Sequence, residues 1–231
     1  MTYAQAMKEL KRMGTAQNRK VYGRHGVSID MFGVSFANLG VLKKQIETDQ
    51  ELAVNLWNSG NHDARVLATM IADPDQMKSA TLDAWVKDLD SYVITDAFST
   101  MAGKTPWARK KAEKWAKAKN EWIGRAGWSV LCRVAANDGE LPDDYFEGHL
   151  ATIETDIHKS KNRVRDAMNM AVINIALRNG KLEKKAVAAA QRIGKVDVDH
   201  GQTSCKTPDA IDYIEKTKKY RKNKAARKTV C

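Results

Sequence analysis

Three stretches of the chain constrain its fold more than any others: DARVLATMIA at 63–72, IGRAGWSVLCRVA at 123–135 and RVRDAMNMAVINIAL at 163–177. Each carries charge at or near its start and then runs on in small and aliphatic residues at helical spacing. A helix of that composition has little polar side to turn to water, so other elements must cover it on most sides. Only four prolines occur in 231 residues, and alternating β-branched runs are few, which predicts helix nearly throughout.

Helices are predicted near 2–13, 35–47, 50–58, 61–72, 76–87, 89–102, 107–118, 120–136, 142–157, 162–178, 182–193 and 207–220, separated by signals such as NSGNHD, DPDQ, GKTP, NDGELPDD and RNGK. They group as two-helix units at 50–72, 76–102, 107–136 and 142–178, followed by 182–193 with a C-terminal partner. Neighbouring pairs that bury one another and leave one concave, basic face describe an all-α solenoid of HEAT type. The expected organisation is one repeat domain over 1–231 with a basic tail at about 216–231.

Lys and Arg number 39 against 28 Asp and Glu, a formal charge of +11, and this excess is segregated. Eight basic residues and no acid lie between Lys216 and Lys228, and eight against two between Lys104 and Arg125. The remainder is slightly acidic, and so polarised a charge is the footprint of a polyanion-binding face. Cys132, Cys205 and Cys231 make an odd set without a pairing pattern, and the N-terminus has no apolar run after its charges, so a reducing cytoplasmic location is expected. No stretch approaches the roughly 20 apolar residues that cross a bilayer, and no membrane partner is expected.

The run WARKKAEKWAKAKNEWIGRAGWSVL at 107–131 sets four tryptophans among that basic charge. Trp115 and Trp128 flank the turn at Lys119–Asn120, where they can pack within one helix pair. Lys110, Lys111, Lys114 and Lys117 surround the apolar stripe of the first helix, their stems lying over it and their charges in solvent. Trp122 falls on the first turn of the second helix, with Arg125 three residues on along the same face. An arginine inside such a helix needs a partner.

Read together, WAKAKNEWIGRAGWSVL, FGVSFANLGVLKKQI (32–46), LWNSGNHDARVLATMIA (56–72) and LDSYVITDAF (89–98) resemble the DNA alkylation repair family of AlkD-like glycosylases, in the family's order and from about Tyr22 to Arg178. The resemblance implies HEAT-like pairs around a positively charged DNA cleft. It implies excision of cationic alkylated purines of the 3-methyladenine and 7-methylguanine type, without cofactor, because a charged base is already a good leaving group. Asp96 matches the carboxylate that stabilises the developing oxocarbenium ion, and Tyr92, one turn earlier, matches an aromatic wall. Arg125 matches a contact to the backbone of the lesion strand, where a guanidinium meets phosphate in bidentate fashion. Trp122, Lys110, Lys111, Lys114 and Lys117 would extend that DNA-binding track. Two positions depart from the family: Tyr92 and Met170 stand where active members have tryptophan. Tyrosine still stacks on a cation, whereas methionine keeps only a soft contact.

In GKVDVDHGQTSCKTPDAIDYI (194–214), Asp197, Asp199, His200 and Cys205 follow no zinc spacing, so no metal is expected. A loop closing the solenoid, with Thr207 or Asp209 at a helix start and Pro208 in its first turn, is the simpler reading. The expected protein is a monomeric alkylpurine DNA glycosylase acting on alkylated or distorted double-stranded DNA. A non-catalytic DNA-binding repair accessory for distorted or branched DNA is the first alternative, and a HEAT scaffold for an acidic protein partner is the second.

Overall fold

The computed structural model describes residues 1–228, of which 225–228 are described as backbone only; the side chains of Arg227 and Lys228, and Cys231, lie outside the described residues. Thirteen α-helices follow one another: α1 (Tyr3–Met13), α2 (Ala16–Arg24), α3 (Phe36–Ile46), α4 (Gln50–Asn58), α5 (His62–Ile71), α6 (Ser79–Trp85), α7 (Tyr92–Ala102), α8 (Ala108–Trp115), α9 (Glu121–Asn137), α10 (Asp143–Asp156), α11 (Asn162–Ala176), α12 (Gly180–Ile193) and α13 (Ala210–Lys228). No strand occurs among the described residues.

The helices form two rows. α5, α7, α9, α11 and α13 pack consecutively side by side, and α4, α8 and α12 back them from outside, with α10 resting on α11 and α12. Burial follows this order. α9 hides Ala126, Gly127, Trp128, Val130, Leu131, Cys132, Val134 and Ala135 on nearly all its sides, and α11 hides nine of its residues. The covered helices expected at 63–72, 123–135 and 163–177 are α5, α9 and α11 of the inner row.

α8 approaches α9 closely at Gly127, where a Cβ would lie 2.1 Å from the backbone nitrogen of Ala116. Only a residue without a side chain lets the two backbones meet there. Between the rows runs a chain of aromatic rings. Trp85 and Trp57 stack with centroids 4.2 Å apart, Trp57 meets Phe98 at 6.0 Å, and Phe98 meets Trp115 at 5.5 Å. Offset and tilted contacts of this kind add to the burial energy of the rings themselves. Trp115 thus packs toward the preceding pair rather than only within its own, while Trp128 meets His149 edge-on at 5.8 Å.

Some boundaries differ from expectation, by three residues at the starts of α6 and α7 and the end of α8, and more fully towards the two ends of the chain. α2 is an additional helix, capped by Thr15 on the backbone N–H of Asn18, and it buries no residue, so no apolar stripe announces it. The last helix begins at Ala210, because the Asp209 carboxylate accepts from the N–H of Asp212 and Pro208 lies before it. It also continues to Lys228. Beneath the N-terminal arm, the buried Asp63 carboxylate accepts N–H bonds from Phe32, Gly33 and Val34 at 2.6–3.0 Å. Tyr22 of α2 donates to the Val34 carbonyl at 2.6 Å, which ties α2 to α5.

Gly127→Ala should cost about 3 kcal/mol, because the intruding methyl meets backbone rather than a yielding side chain. Urea unfolding of the variant beside the parent measures the loss.

Candidate nucleic-acid interface

The first turns of α7, α9 and α11 line one edge of the inner row. Tyr92 opens α7, Glu121 opens α9, and Arg163 lies in the first turn of α11. A four-residue step places Asp96 on the same helical face as Tyr92. Arg125 reaches from α9 to both neighbours: its Nε and Nη2 donate to the two Asp96 oxygens at 3.0 and 3.1 Å, and its Nη1 donates to Asp166 at 2.6 Å and to the Arg163 carbonyl at 3.1 Å. Its side chain is 7% exposed and that of Asp96 49%. Burial works against the charge of Arg125, but Asp96 and Asp166 outweigh it and bind its proton more firmly than usual.

Tyr92 is equally engaged. Its hydroxyl bonds to Nδ1 of His25 at the end of α2. The Arg163 guanidinium lies 4.6 Å over its ring and that of Arg125 5.7 Å. Burial pushes the hydroxyl up to about 12, and the neighbouring Cys205 thiol adds to the rise. The Tyr92 ring thus already has two cations within cation–π range. Beside it, a cleft of about 650 Å³ opens between α2, α3, α5 and α7, with Tyr22, Phe36, Met70 and Met101 on its walls and Lys43 and Lys104 also lining it.

Cys205 belongs to a strap, residues 194–209, that lies along α11 and reaches to α2. Asn162 and Asp199 exchange two hydrogen bonds of 2.7 Å each. His200 meets Arg163 through Nδ1 at 3.2 Å and Thr207 through Nε2 at 2.9 Å. The Asn169 amide donates to the Pro208 carbonyl at 2.9 Å, and Gln202 shares a hollow with Gln17, Lys20 and Arg24 of α2. This segment therefore does more than close the end of the stack. No three of its carboxylates, imidazoles and thiol are placed to hold a metal, nor is any other such group among the described residues.

The remaining predicted site residues scatter. Lys111 is buried, donating to the Ser79 carbonyl at 2.9 Å and pairing with Asp83 at 2.9 Å. Lys114 pairs with the same carboxylate at 2.8 Å, and Trp115 Nε1 donates to it at 3.0 Å. Lys111 is thus occupied within the fold instead of lining an open track, since α8 lies against α6 and its acid, whereas Lys114 pairs with that acid at the surface with its side chain 63% exposed. The four tryptophans and their lysines divide accordingly: the rings and the charge of Lys111 face protein, the other charges face water. Trp122 and Met170 are half-buried against the core and lie outside the cleft. Lys110 is exposed, and Lys117 joins Lys119, Lys159 and Lys161 around a separate groove of about 780 Å³ at the starts of α9 and α11. Lys159 and Lys161 gave no signal in the sequence, because they lie in a mixed loop far from the basic run.

The pattern for DNA alkylation repair enzymes matches residues 5–214. The chain is 29% identical to the uncharacterised protein Lin0241 of Listeria innocua and 27% identical to the uncharacterised protein Lmo0209 of Listeria monocytogenes, covering 94% of this chain and 98% of each relative. It superposes with a TM-score of 0.86 and 29% identity, over 94% of this chain and 93% of the other, on a solved structure described as "a new family of proteins related to the HEAT-like repeat DNA glycosylases with affinity for branched DNA structures". No helix among the described residues is long and apolar enough to cross a membrane.

Arg125→Leu leaves Asp96 and Asp166 facing each other without their shared cation, and should cost about 3–5 kcal/mol in urea unfolding. At Asp83, burial acts to raise the carboxyl, yet hydrogen bonds from Lys111, Lys114 and Trp115 hold it down at about 2. The ordinary carboxyl value is about 3.9, so the stability this site adds is present above pH 4 and lost as pH falls through 2. Asp83→Asn should flatten the fall of the urea midpoint across that window relative to the parent.

Proposed function

The chain belongs to the DNA alkylation repair family, and from that premise we propose that it is a DNA-binding repair protein that recognises distorted or branched DNA through the edge formed by α7, α9 and α11. One observation carries this reading over catalysis. Both Asp96 oxygens are bonded to Arg125, and the face of Tyr92 lies under Arg163. A carboxylate already neutralised by a guanidinium offers little to an oxocarbenium ion. A cationic base approaching Tyr92 would meet two cations first. Arg125 is then a positioning residue that locks three helices, with four hydrogen bonds made within the fold before any phosphate arrives.

Phosphate contacts fall instead to Lys117, Lys119, Lys159 and Lys161, whose groove borders the positive ends of α9 and α11, and to Lys104 and Lys110. Such contacts fix register without reading sequence, as suits recognition of shape. The affinity of the related structure for branched DNA agrees with this role.

A second reading, excision of cationic purines with Asp96 as the catalytic residue, is favoured by the half-exposed carboxylate opening on the cleft beside Tyr92. The two readings separate in one set of assays: release of 7-methylguanine and 3-methyladenine from methylated duplex, and binding to a four-way junction over a range of salt. The binding reading expects tight junction binding and no base release above an Asp96→Asn control. Glutamine at 117, 119, 159 and 161 together should flatten the log–log salt slope by about 3 to 4. Base release that disappears in Asp96→Asn would give the site to catalysis.

A further inference from the structure

The inner face of α13 holds it to the stack. Ala210 and Ile214 are buried, Lys218 pairs with Glu183 of α12 at 2.5 Å, and Arg221 donates to the Leu177 carbonyl at 3.2 Å. Its other side is unusual. Tyr213 and Tyr220 are 43% and 65% exposed, and among the described residues neither ring packs on another aromatic or lies under a cation. Seven residues apart, they share one face two turns from each other, and Lys216 and Lys224, also exposed, fall on that face. The helix's two acids, Asp212 and Glu215, lie on the first turns, and Asp212 stands one turn before Lys216, so that beyond Lys216 the face carries no acid.

We propose that this face of α13 is a docking surface for unpaired DNA, the two tyrosines stacking on bases and the two lysines meeting the phosphates between them. Aromatic rings alternating with basic side chains are the chemistry by which single strands are held without regard to sequence, since every base has a π-face and every nucleotide a charge. The spacing fits. Seven residues at 1.5 Å each separate the tyrosine positions by about 10.5 Å, which matches three base rises of about 3.4 Å, so two stacked bases fill the interval between the rings. An acidic protein would use the lysines and leave the exposed rings unexplained, whereas a fully paired duplex offers them no base face.

This surface extends the proposed binding to branched DNA and rests on it: unpaired nucleotides at a branch point reach α13 while the paired arms lie on the α9–α11 groove. Three probes test it by fluorescence anisotropy at one salt concentration: an oligo(dT) strand, a three-way junction with unpaired thymidines at its branch, and a fully paired four-way junction. Tyr213→Ala/Tyr220→Ala should bind oligo(dT) at least about tenfold more weakly than the parent and lose the preference for the unpaired junction, with binding to the paired junction unchanged. Tyr213→Phe/Tyr220→Phe, which keeps the rings, should retain parental affinity for all three. Because both side chains are exposed, the parental melting temperature is expected in each variant.

Undiminished oligo(dT) binding by the alanine variant would overturn the proposal, as would an equal loss on the paired junction, which assigns the face to duplex. Tighter parental binding to oligo(rU) than to oligo(dT) would overturn it in favour of RNA. A parent that binds no DNA would sink the wider binding reading as well, whereas a parent that binds junctions with no effect of the tyrosines would sink this surface alone.

Discussion

A single guanidinium holds three helices of the inner row in register. Arg125 meets Asp96 of α7 on one side and Asp166 of α11 on the other, with the Arg163 carbonyl as a further acceptor. In a largely dry setting such a charge is tolerated only when every donor is satisfied, so the geometry around it admits little variation. The positions of Tyr92, Asp96 and Arg163 follow from it, and the strap is laid on top of Arg163 through His200. A residue suited to gripping phosphate is here turned inward and spent on the register of the three helices.

The distribution of charge follows the same logic. The basic run at 104–125 looks uniform as a string of letters, yet the fold sorts it into cations that satisfy Asp83 and cations left to solvent. In the reading proposed above, polyanion affinity resides in the second group and in lysines elsewhere in the chain that converge on the same helix ends. Helix N-termini and unpaired lysines act together there, each reinforcing the other's field.

Much of this architecture was legible from spacing. The apolar helices at 63–72, 123–135 and 163–177 could lie nowhere except in the covered row, and the interval between Tyr92 and Asp96 fixed their common face. α2 was not legible, since a helix that buries nothing leaves no periodic trace. Nor were the pairings of Lys111 and Lys114 with an acid about thirty positions earlier, or the stacking of Arg163 on Tyr92. Those depend on how far adjacent pairs rotate against each other, which local pattern does not encode. Arg125 was marked as needing a partner; that it has two acidic ones, neither of them phosphate, came only from the packing.

The order of parts along the chain gives the shared guanidinium a consequence for synthesis. Domains emerge and fold from the N-terminus onward, and Arg125 precedes Asp166 by about forty residues and the strap by about seventy. Until α11 arrives, the arginine has only Asp96, and Tyr92 lacks Arg163, the nearer of its two cations. A chain in which α11 has not docked therefore has an open, half-neutralised version of the site, and the closed one needs the strap through residue 209. The strap that ends there acts as a seal on assembly, set once α5, α7, α9 and α11 are in place and before α13 completes the row.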